Sequence, residues 1–141
     1  ALFPADADAR ETLAWRAEEA GDLEQARARW TQAEGLSPFN AIYPARRARL
    51  EAMTGRWSDA ERLAARAIEL EPGFLRMRLL RADALLRLGR RDQAFLETDE
   101  VVRRLAEPAA AGESGYERAV SGFTAADEAQ LARVGSALRR R

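Results

Sequence analysis

Three glycines recur at one fixed spacing along the chain. Gly21, Gly55 and Gly89 each lie 34 residues apart. An alanine stands five residues after each glycine and another seven residues before it, at positions 26, 60 and 94 and at positions 14, 48 and 82. Pro38 and Pro72 follow the first two glycines in the same frame. A period of this length indicates a supersecondary unit that buries its apolar face only by stacking on copies of itself.

The composition predicts that the repeated unit is helical. Of the 141 residues, 31 are alanine, and all 23 basic residues are arginine. Alanine, arginine, leucine and glutamate favour helix, whereas only six valine, isoleucine or threonine residues occur before position 101. We therefore expect an all-α fold. We interpret the absence of lysine as a GC-rich coding bias and expect a bacterial source.

Each period divides into two helices around its glycine. The predicted helices are 7–20 and 23–36, 41–54 and 58–70, and 75–88 and 92–105. A glycine just past a helix end accepts the left-handed backbone conformation that closes the helix. Capping-box spacing occurs twice, in the pairs Asp22 with Gln25 and Ser58 with Glu61, and Asp92 is expected to cap the last helix alone.

The alanine columns are expected to lie where helices cross closely, because only small side chains let two backbones approach. Ala33 and Ala67 are expected to face the first helix of the next unit. Larger residues would fill the core beside them: Leu13, Leu23, Trp30, Leu36, Trp57, Leu63, Ile68, Leu70, Leu85, Leu88, Phe95, Val102 and Leu105.

These residues resemble a known repeat family. The first unit carries Leu13-Ala14, Gly21-Asp22-Leu23, Ala26, Trp30, Ala33 and Pro38; the second carries Ala48, Gly55, Trp57, Ala60, Ala67, Leu70 and Pro72; the third carries Ala82, Leu85, Gly89 and Ala94. The pattern resembles the tetratricopeptide repeat. The resemblance implies a right-handed α-α superhelix whose inner wall is built from the first helix of each unit. Arg47 and Arg81 replace apolar residues of the pattern, which leaves the rotation of two inner helices open.

The resulting division of the chain has four parts. Residues 1–6 are an N-terminal extension, and residues 7–105 hold three repeats with bounds 7–40, 41–74 and 75–105. Residues 106–123 form a linker with one short turn around Tyr116. Residues 124–141 contain a final helix opened by Thr124 and Asp127, whose apolar stripe predicts a cap for the stack. A disordered tail is the alternative.

The resemblance implies a ligand groove along the inner wall. Its main candidate residues are Trp15, Glu18, Arg46, Arg49, Met53, Arg76, Asp83 and Arg87. The arginines are expected to pair with carboxylates of a bound protein or peptide segment, and Trp15 and Met53 to supply apolar contact. The alternative is a solvated face whose arginines pair with neighbouring acids.

One branch of the family is not indicated. Some of these proteins clamp the C-terminal carboxylate of a peptide with basic and amide residues of the first and third inner helices. This chain has Glu11 and Trp15 at the first pair of positions, and Arg76 with Leu80 at the second. The clamp is mostly absent, so we do not expect a receptor for chaperone tails.

Composition excludes several function classes. Without cysteine or histidine, the chain has no thiol nucleophile, no histidine base and no zinc site built on these residues. Zero net charge argues against nucleic-acid binding, and the apolar runs are too short to insert into a membrane. The Asp6-x-Asp8 pair is interpreted as favourable helix N-terminal charge rather than a metal site. We therefore expect no cofactor, no metal and no enzyme activity.

Three functions remain to be compared. The first is a non-catalytic protein-interaction scaffold. The second is the tail of a larger bacterial envelope protein, because the turn at 36–40, the apolar start at Ala1 and the missing initiator methionine resemble repeat tails of O-antigen ligase-like membrane proteins. The third is an enzyme. Net charge also rises from −4 in residues 1–38 to +3 in residues 73–105, which favours a complementary partner or a homo-oligomer. A cytoplasmic and a periplasmic location both stay open.

Overall fold

Helix is the regular secondary structure of the parts of the chain that the computed structural model describes, residues 4–107 and 122–140. The seven helices of these parts are α1 (Pro4–Glu19), α2 (Leu23–Leu36), α3 (Ile42–Met53), α4 (Trp57–Leu70), α5 (Leu75–Arg87), α6 (Arg91–Leu105) and α7 (Ala125–Arg139). The first six form three hairpins stacked in chain order, and α7 packs on the last hairpin. The predicted all-α repeat stack is confirmed. Most of the expected linker, with the turn around Tyr116, lies outside the described residues.

Each hairpin turns at a glycine in the left-handed conformation. The φ angles of Gly21, Gly55 and Gly89 are +77°, +76° and +79°. In the first hairpin the Gly21 N–H donates to the Glu18 carbonyl at 3.0 Å, and the following N–H donates to the Ala17 carbonyl at 2.9 Å. The same two bonds recur at the other glycines and satisfy the last carbonyls of the helix. The fixed spacing of the glycines therefore reflects the same backbone turn repeated in each hairpin.

That turn also sets where the second helix of each hairpin begins. Asp22 caps α2 as predicted, because its side chain accepts a hydrogen bond from the N–H three residues later at 3.1 Å. The capping predictions for Ser58 and Asp92 are wrong. The helices α4 and α6 begin directly after Arg56 and Arg90, so both residues lie in the first helical turn. The backbone turn fixes which residue stands at the N-cap position. The identity of that residue decides only whether its side chain accepts a hydrogen bond from the first turn of the helix.

The first helix starts earlier than the sequence pattern predicted. Helix α1 begins at Pro4, so residues 4–6 are helical and the predicted N-terminal extension of residues 1–6 is too long. Proline is well suited to the first position of a helix, because that position needs no N–H donor and the ring presets the backbone angle. The expected start at residue 7 followed the apolar pattern and overlooked this proline.

The predicted alanine columns are buried. The six crossing alanines have no exposed surface: Ala14, Ala26, Ala48, Ala60, Ala82 and Ala94. Ala33 shares an apolar cluster with Tyr43 and Leu50 of α3, as expected for a residue that faces the next unit. Ala67 shares a second cluster with Met77 of α5. The core is thus a series of clusters that join each hairpin to its neighbour.

Part of the predicted core is exposed. The exposed members are Leu13, Leu88, Phe95, Val102 and Leu105. In α6 the exposed fractions of Phe95 and Val102 are 59% and 53%, whereas the adjacent Val101 is fully buried. The apolar cluster around α7 is built with residues of α5.

Ion pairs settle the rotation of the second and third inner helices. The Arg47 Nη1 atom lies 2.8 Å from a Glu34 carboxylate oxygen of α2, and the Arg81 Nε atom lies 2.9 Å from a Glu61 oxygen of α4. Both arginines therefore face the preceding hairpin. A charged contact between units replaces the apolar one that the family pattern has at these positions.

Helix α7 caps the stack. Thr124 and Asp127 form the predicted capping box, with the Thr124 N–H 2.7 Å from the Asp127 carboxylate. Further along the helix, Val134 is buried against α5, with Leu131 packed beside it. At the far end the Arg91 side chain donates to backbone carbonyls of the last turn of α7. The C-terminal capping helix is confirmed.

The tightness of the crossings gives a first testable expectation. Replacing Ala60 by leucine should lower the free energy of unfolding by about 1–3 kcal/mol, because the added atoms overpack a fully buried site. Urea unfolding followed by circular dichroism measures the change. The matched control is Ala28→Leu at an exposed position of α2, which should change stability by less than about 0.5 kcal/mol. Equal stability of both variants would contradict the assigned crossing.

Candidate functional site

The first helix of each hairpin contributes predicted ligand-binding residues to one face. We call this the inner face, and it is defined by Trp15 of α1, Arg46 and Arg49 of α3, and Arg76 of α5. The Arg46 guanidinium carbon lies 4.2 Å from the centre of the Trp15 ring. The edge of Trp15 meets Trp30 of α2, with ring centres 5.5 Å apart and planes at 83°. Trp15 is thus a platform, fixed from below by Trp30, on which Arg46 is stacked.

Arg46 is partly buried among charged groups of both signs. Its pKa is lowered from the ordinary arginine value, first because the side chain is buried and then because the Arg49 charge is near. Arg76 acts in the same direction, while Glu11 and Glu18 oppose it. Burial is the main reason for the lowered pKa, so a carboxylate that paired with Arg46 would offset part of the cost of burying its charge.

A cavity lies between α3 and α5 beside these arginines. Its volume is about 100 Å³, and it is lined by Ile42, Ala45, Arg46, Arg49, Phe74, Arg76 and Met77. The floor is apolar and the rim carries three guanidinium groups. Arg49 is exposed and makes no ion pair with any residue of the described stretches. An apolar pocket with a charged rim suits a side chain flanked by acidic groups.

Arg76 differs from the other two arginines because it already has a partner. Its Nε atom lies 2.9 Å from an Asp127 carboxylate oxygen at the start of α7. The side chain of Arg76 is 40% exposed, and that of Asp127 is 16% exposed. The predicted ligand-binding arginine of the third unit is therefore shared with the capping helix.

Two other predicted groove residues, Asp83 and Arg87, lie in a separate area near the end of α5. The Arg87 guanidinium carbon lies 4.2 Å from the centre of the Trp57 ring, and its Nε atom is 3.2 Å from Asp83. A second cavity of about 290 Å³ opens between α5 and α7 and is lined by Asp83, Leu86, Arg87, Gln130, Arg133, Val134 and Ala137. The structure thus does not bring Asp83 and Arg87 into the cavity beside Arg46. Trp57, predicted as core, is half-buried beneath Arg87.

Two acids of α1 are already engaged by neighbouring side chains. The Trp30 indole N–H donates to Glu18 at 2.8 Å, and the Tyr43 hydroxyl donates to Glu11 at 3.2 Å. Burial, followed by the charge of Glu11, raises the pKa of Tyr43 to about 12. Met53 lies at the end of α3 and is 59% exposed. Glu11 and Glu18 therefore have structural partners, whereas Arg49 makes no ion pair within the described stretches.

Two residues of the site were not expected from the sequence. Asp127 was identified only as a helix cap, although it also reaches α5, and Tyr43 was not singled out. A capping motif indicates a helix start but carries no information on what the start packs against. Tyr43 repeats no position of the sequence pattern, so no signal linked it to Glu11.

Two kinds of feature are absent from the described residues. Residues 4–107 and 122–140 contain no group of three or more acidic, histidine or cysteine side chains placed to hold a metal ion. No helix of these stretches has the length and apolar character needed to cross a bilayer.

Comparisons with known proteins find the fold among solved structures. Neither a protein-family model nor a curated protein matches the chain. The first TPR domain of Spaghetti (RPAP3) bound to an HSP90 peptide is 15% identical, with 96% of this chain and 98% of that chain covered and a TM-score of 0.73. The TPR2B domain of yeast Sti1, from a complex with pHsp70, is 17% identical, with 95% and 96% covered and a TM-score of 0.73. The second TPR domain of human RPAP3, in complex with an HSP70 peptide, is 19% identical, with 97% and 98% covered and a TM-score of 0.73.

The chain therefore has the tetratricopeptide-repeat fold, as the resemblance implied. These neighbours are similar in architecture and distant in sequence. The resemblance to O-antigen ligase-like membrane proteins is not supported by the comparisons.

Proposed function

We propose that this chain is a non-catalytic protein-interaction scaffold that binds an acidic segment of a partner on its inner face. The observation that carries the proposal is the arrangement of Arg46, Arg49 and Arg76 around one apolar cavity. Arg49 has no carboxylate partner among the described residues, and its charge lies near the partly buried Arg46. A carboxylate placed there would make charge-assisted hydrogen bonds with the guanidinium groups, of which Arg46 is already positioned by the Trp15 ring.

The solved neighbours support the same class of function. The Spaghetti and human RPAP3 domains are bound to HSP90 and HSP70 peptides, respectively. Transfer of the fold does not transfer the ligand, because the clamp positions of this chain hold Glu11, Trp15 and Leu80. Acidic side chains within a segment, rather than a C-terminal carboxylate, fit the arginines that are present.

Arg49 provides the sharpest test. Wild-type protein should bind a labelled oligoglutamate peptide more tightly than an oligoglutamine peptide of equal length, as measured by fluorescence anisotropy at low salt. Arg49→Glu should weaken oligoglutamate binding by about tenfold, because it replaces one charge-assisted contact with a repulsive group.

The control is Arg62→Glu, which changes the net charge equally at an exposed position of α4. It should leave the affinity within about twofold of wild type, since screening weakens charges outside the site. Equal affinities of the wild type and Arg49→Glu for oligoglutamate would contradict the proposed function.

A further inference from the structure

The start of α7 places a carboxylate at one of the three arginines of the cavity. One Asp127 oxygen accepts three hydrogen bonds: from the Thr124 N–H at 2.7 Å, from the Thr124 hydroxyl at 2.9 Å and from Arg76 Nε at 2.9 Å. The first bond is one half of the capping box of α7, whose other half is the Asp127 N–H donating to the Thr124 hydroxyl, and the third joins α7 to α5. The same Asp127 oxygen therefore takes part both in capping α7 and in the ion pair with Arg76.

Asp127 is well held as a charged group in this position. Although burial raises the pKa of Asp127, the hydrogen bonds from Thr124 and Arg76 outweigh burial and hold that pKa below its usual value. At neutral pH the carboxylate is ionised, so Arg76 faces a negative group that belongs to the chain itself. The contact has the chemistry expected of an acidic ligand at the same guanidinium.

We propose that Asp127 is an intramolecular competitor for the inner face, so that docking of α7 and binding of an acidic segment oppose each other. This inference rests on the proposed function. When an acidic side chain of the partner takes Arg76, Asp127 loses one of its three donors and α7 loses its polar link to the start of α5. The coupling acts in both directions: whatever loosens the start of α7 frees Arg76 for the partner.

The apolar contacts of α7 limit the size of the effect. Val134 stays packed against Leu79 and Ala82, and Arg91 still holds the last turn of α7. Binding is therefore expected to weaken the first turns of α7 without detaching the helix. The contact between Asp127 and Arg76 therefore adjusts the affinity of the inner face for an acidic segment and does not block binding.

Asp127→Asn tests the competition, because it removes the charge and keeps the shape of the side chain. The variant should bind oligoglutamate about two- to fivefold more tightly than wild type, which is the range set by a partly exposed ion pair. Glu128→Gln is the matched control, since it removes an equal charge from an exposed neighbouring residue. Its affinity should stay at the wild-type value.

Amide hydrogen exchange provides a readout on the unmodified protein. Saturating oligoglutamate should speed exchange in the first turns of α7 and slow it along α3. Unchanged or slower exchange in α7 would overturn the proposal, as would an Asp127→Asn affinity no tighter than that of wild type or of Glu128→Gln. If Arg49→Glu still loses oligoglutamate binding in that case, competition has failed while the proposed function stands. If Arg49→Glu binds normally, the proposed function itself has failed.

Discussion

Trp30→Ala should lower the free energy of unfolding by about 3–5 kcal/mol, the largest effect expected of any single substitution in this chain. Trp30 is fully buried and lies between the first two hairpins. Its ring meets Trp15 edge-on at 5.5 Å and Tyr43 of α3 at 6.1 Å, and its indole N–H donates to Glu18. Removing the ring leaves a cavity in this cluster and removes the support of the Trp15 ring, on which Arg46 stacks.

Urea unfolding followed by circular dichroism measures this loss, and the stability of a typical domain, about 5–15 kcal/mol, keeps it measurable. Trp57→Ala is the matched control, because Trp57 is only half-buried and contacts the exposed Arg87. We expect a loss for Trp57→Ala of less than half that for Trp30→Ala. Equal losses would show that the cluster around Trp30 is not the main junction of the first two hairpins.

Glu51→Ala should be the second most damaging change, with a loss of about 2–4 kcal/mol. Glu51 is 5% exposed, and its carboxylate accepts a hydrogen bond from Arg27 of α2 while lying 3.8 Å from Arg56. This hydrogen bond is the main reason that the pKa of Arg27 is raised. Without Glu51, the half-buried guanidinium loses its partner across the junction between units.

Glu24→Ala is the control for this expectation, because Glu24 pairs with the same arginine but is 82% exposed. A pair so open to water contributes less than about 1 kcal/mol. Urea unfolding of the two variants separates the buried partner from the exposed one. If both variants lose the same small amount, the buried pair does not join the units.

The repeat architecture could be predicted because it depends on a few positions with strict backbone requirements. Gly21, Gly55 and Gly89 occupy a conformation that other residues adopt only with strain, so their spacing reports the turn directly. The alanine columns were equally informative, because a close helix crossing excludes larger side chains. Helix starts were less predictable. Ser58 and Asp92 had suitable side chains, but the hydrogen bonds of the glycine turn place the N-cap at Arg56 and Arg90 instead.

The candidate site was predictable in its location and less so in its contacts. The family resemblance implied that Trp15, Arg46 and Arg76 lie on one face, and the structure places them near one cavity. Which arginine is paired depends on residues distant in sequence. Asp127 lies 51 residues from Arg76, and no periodic signal connects the two. The exposed face of α6 was missed for the same reason, because the packing of α7 follows from contacts beyond the repeat.

The charged contacts between hairpins also bear on how the array evolves. The first junction pairs Arg27 with Glu51 and Glu34 with Arg47, whereas the second pairs Glu61 with Arg81. A chain that skipped the middle hairpin would set Arg27 of α2 against Leu85, the residue one period after Glu51, and would bury a cation on a hydrocarbon. The hairpins are therefore not exchangeable modules. Their order is determined by the ion pairs at the junctions between hairpins. Duplication, loss or shuffling of one hairpin therefore needs compensating changes in its neighbours.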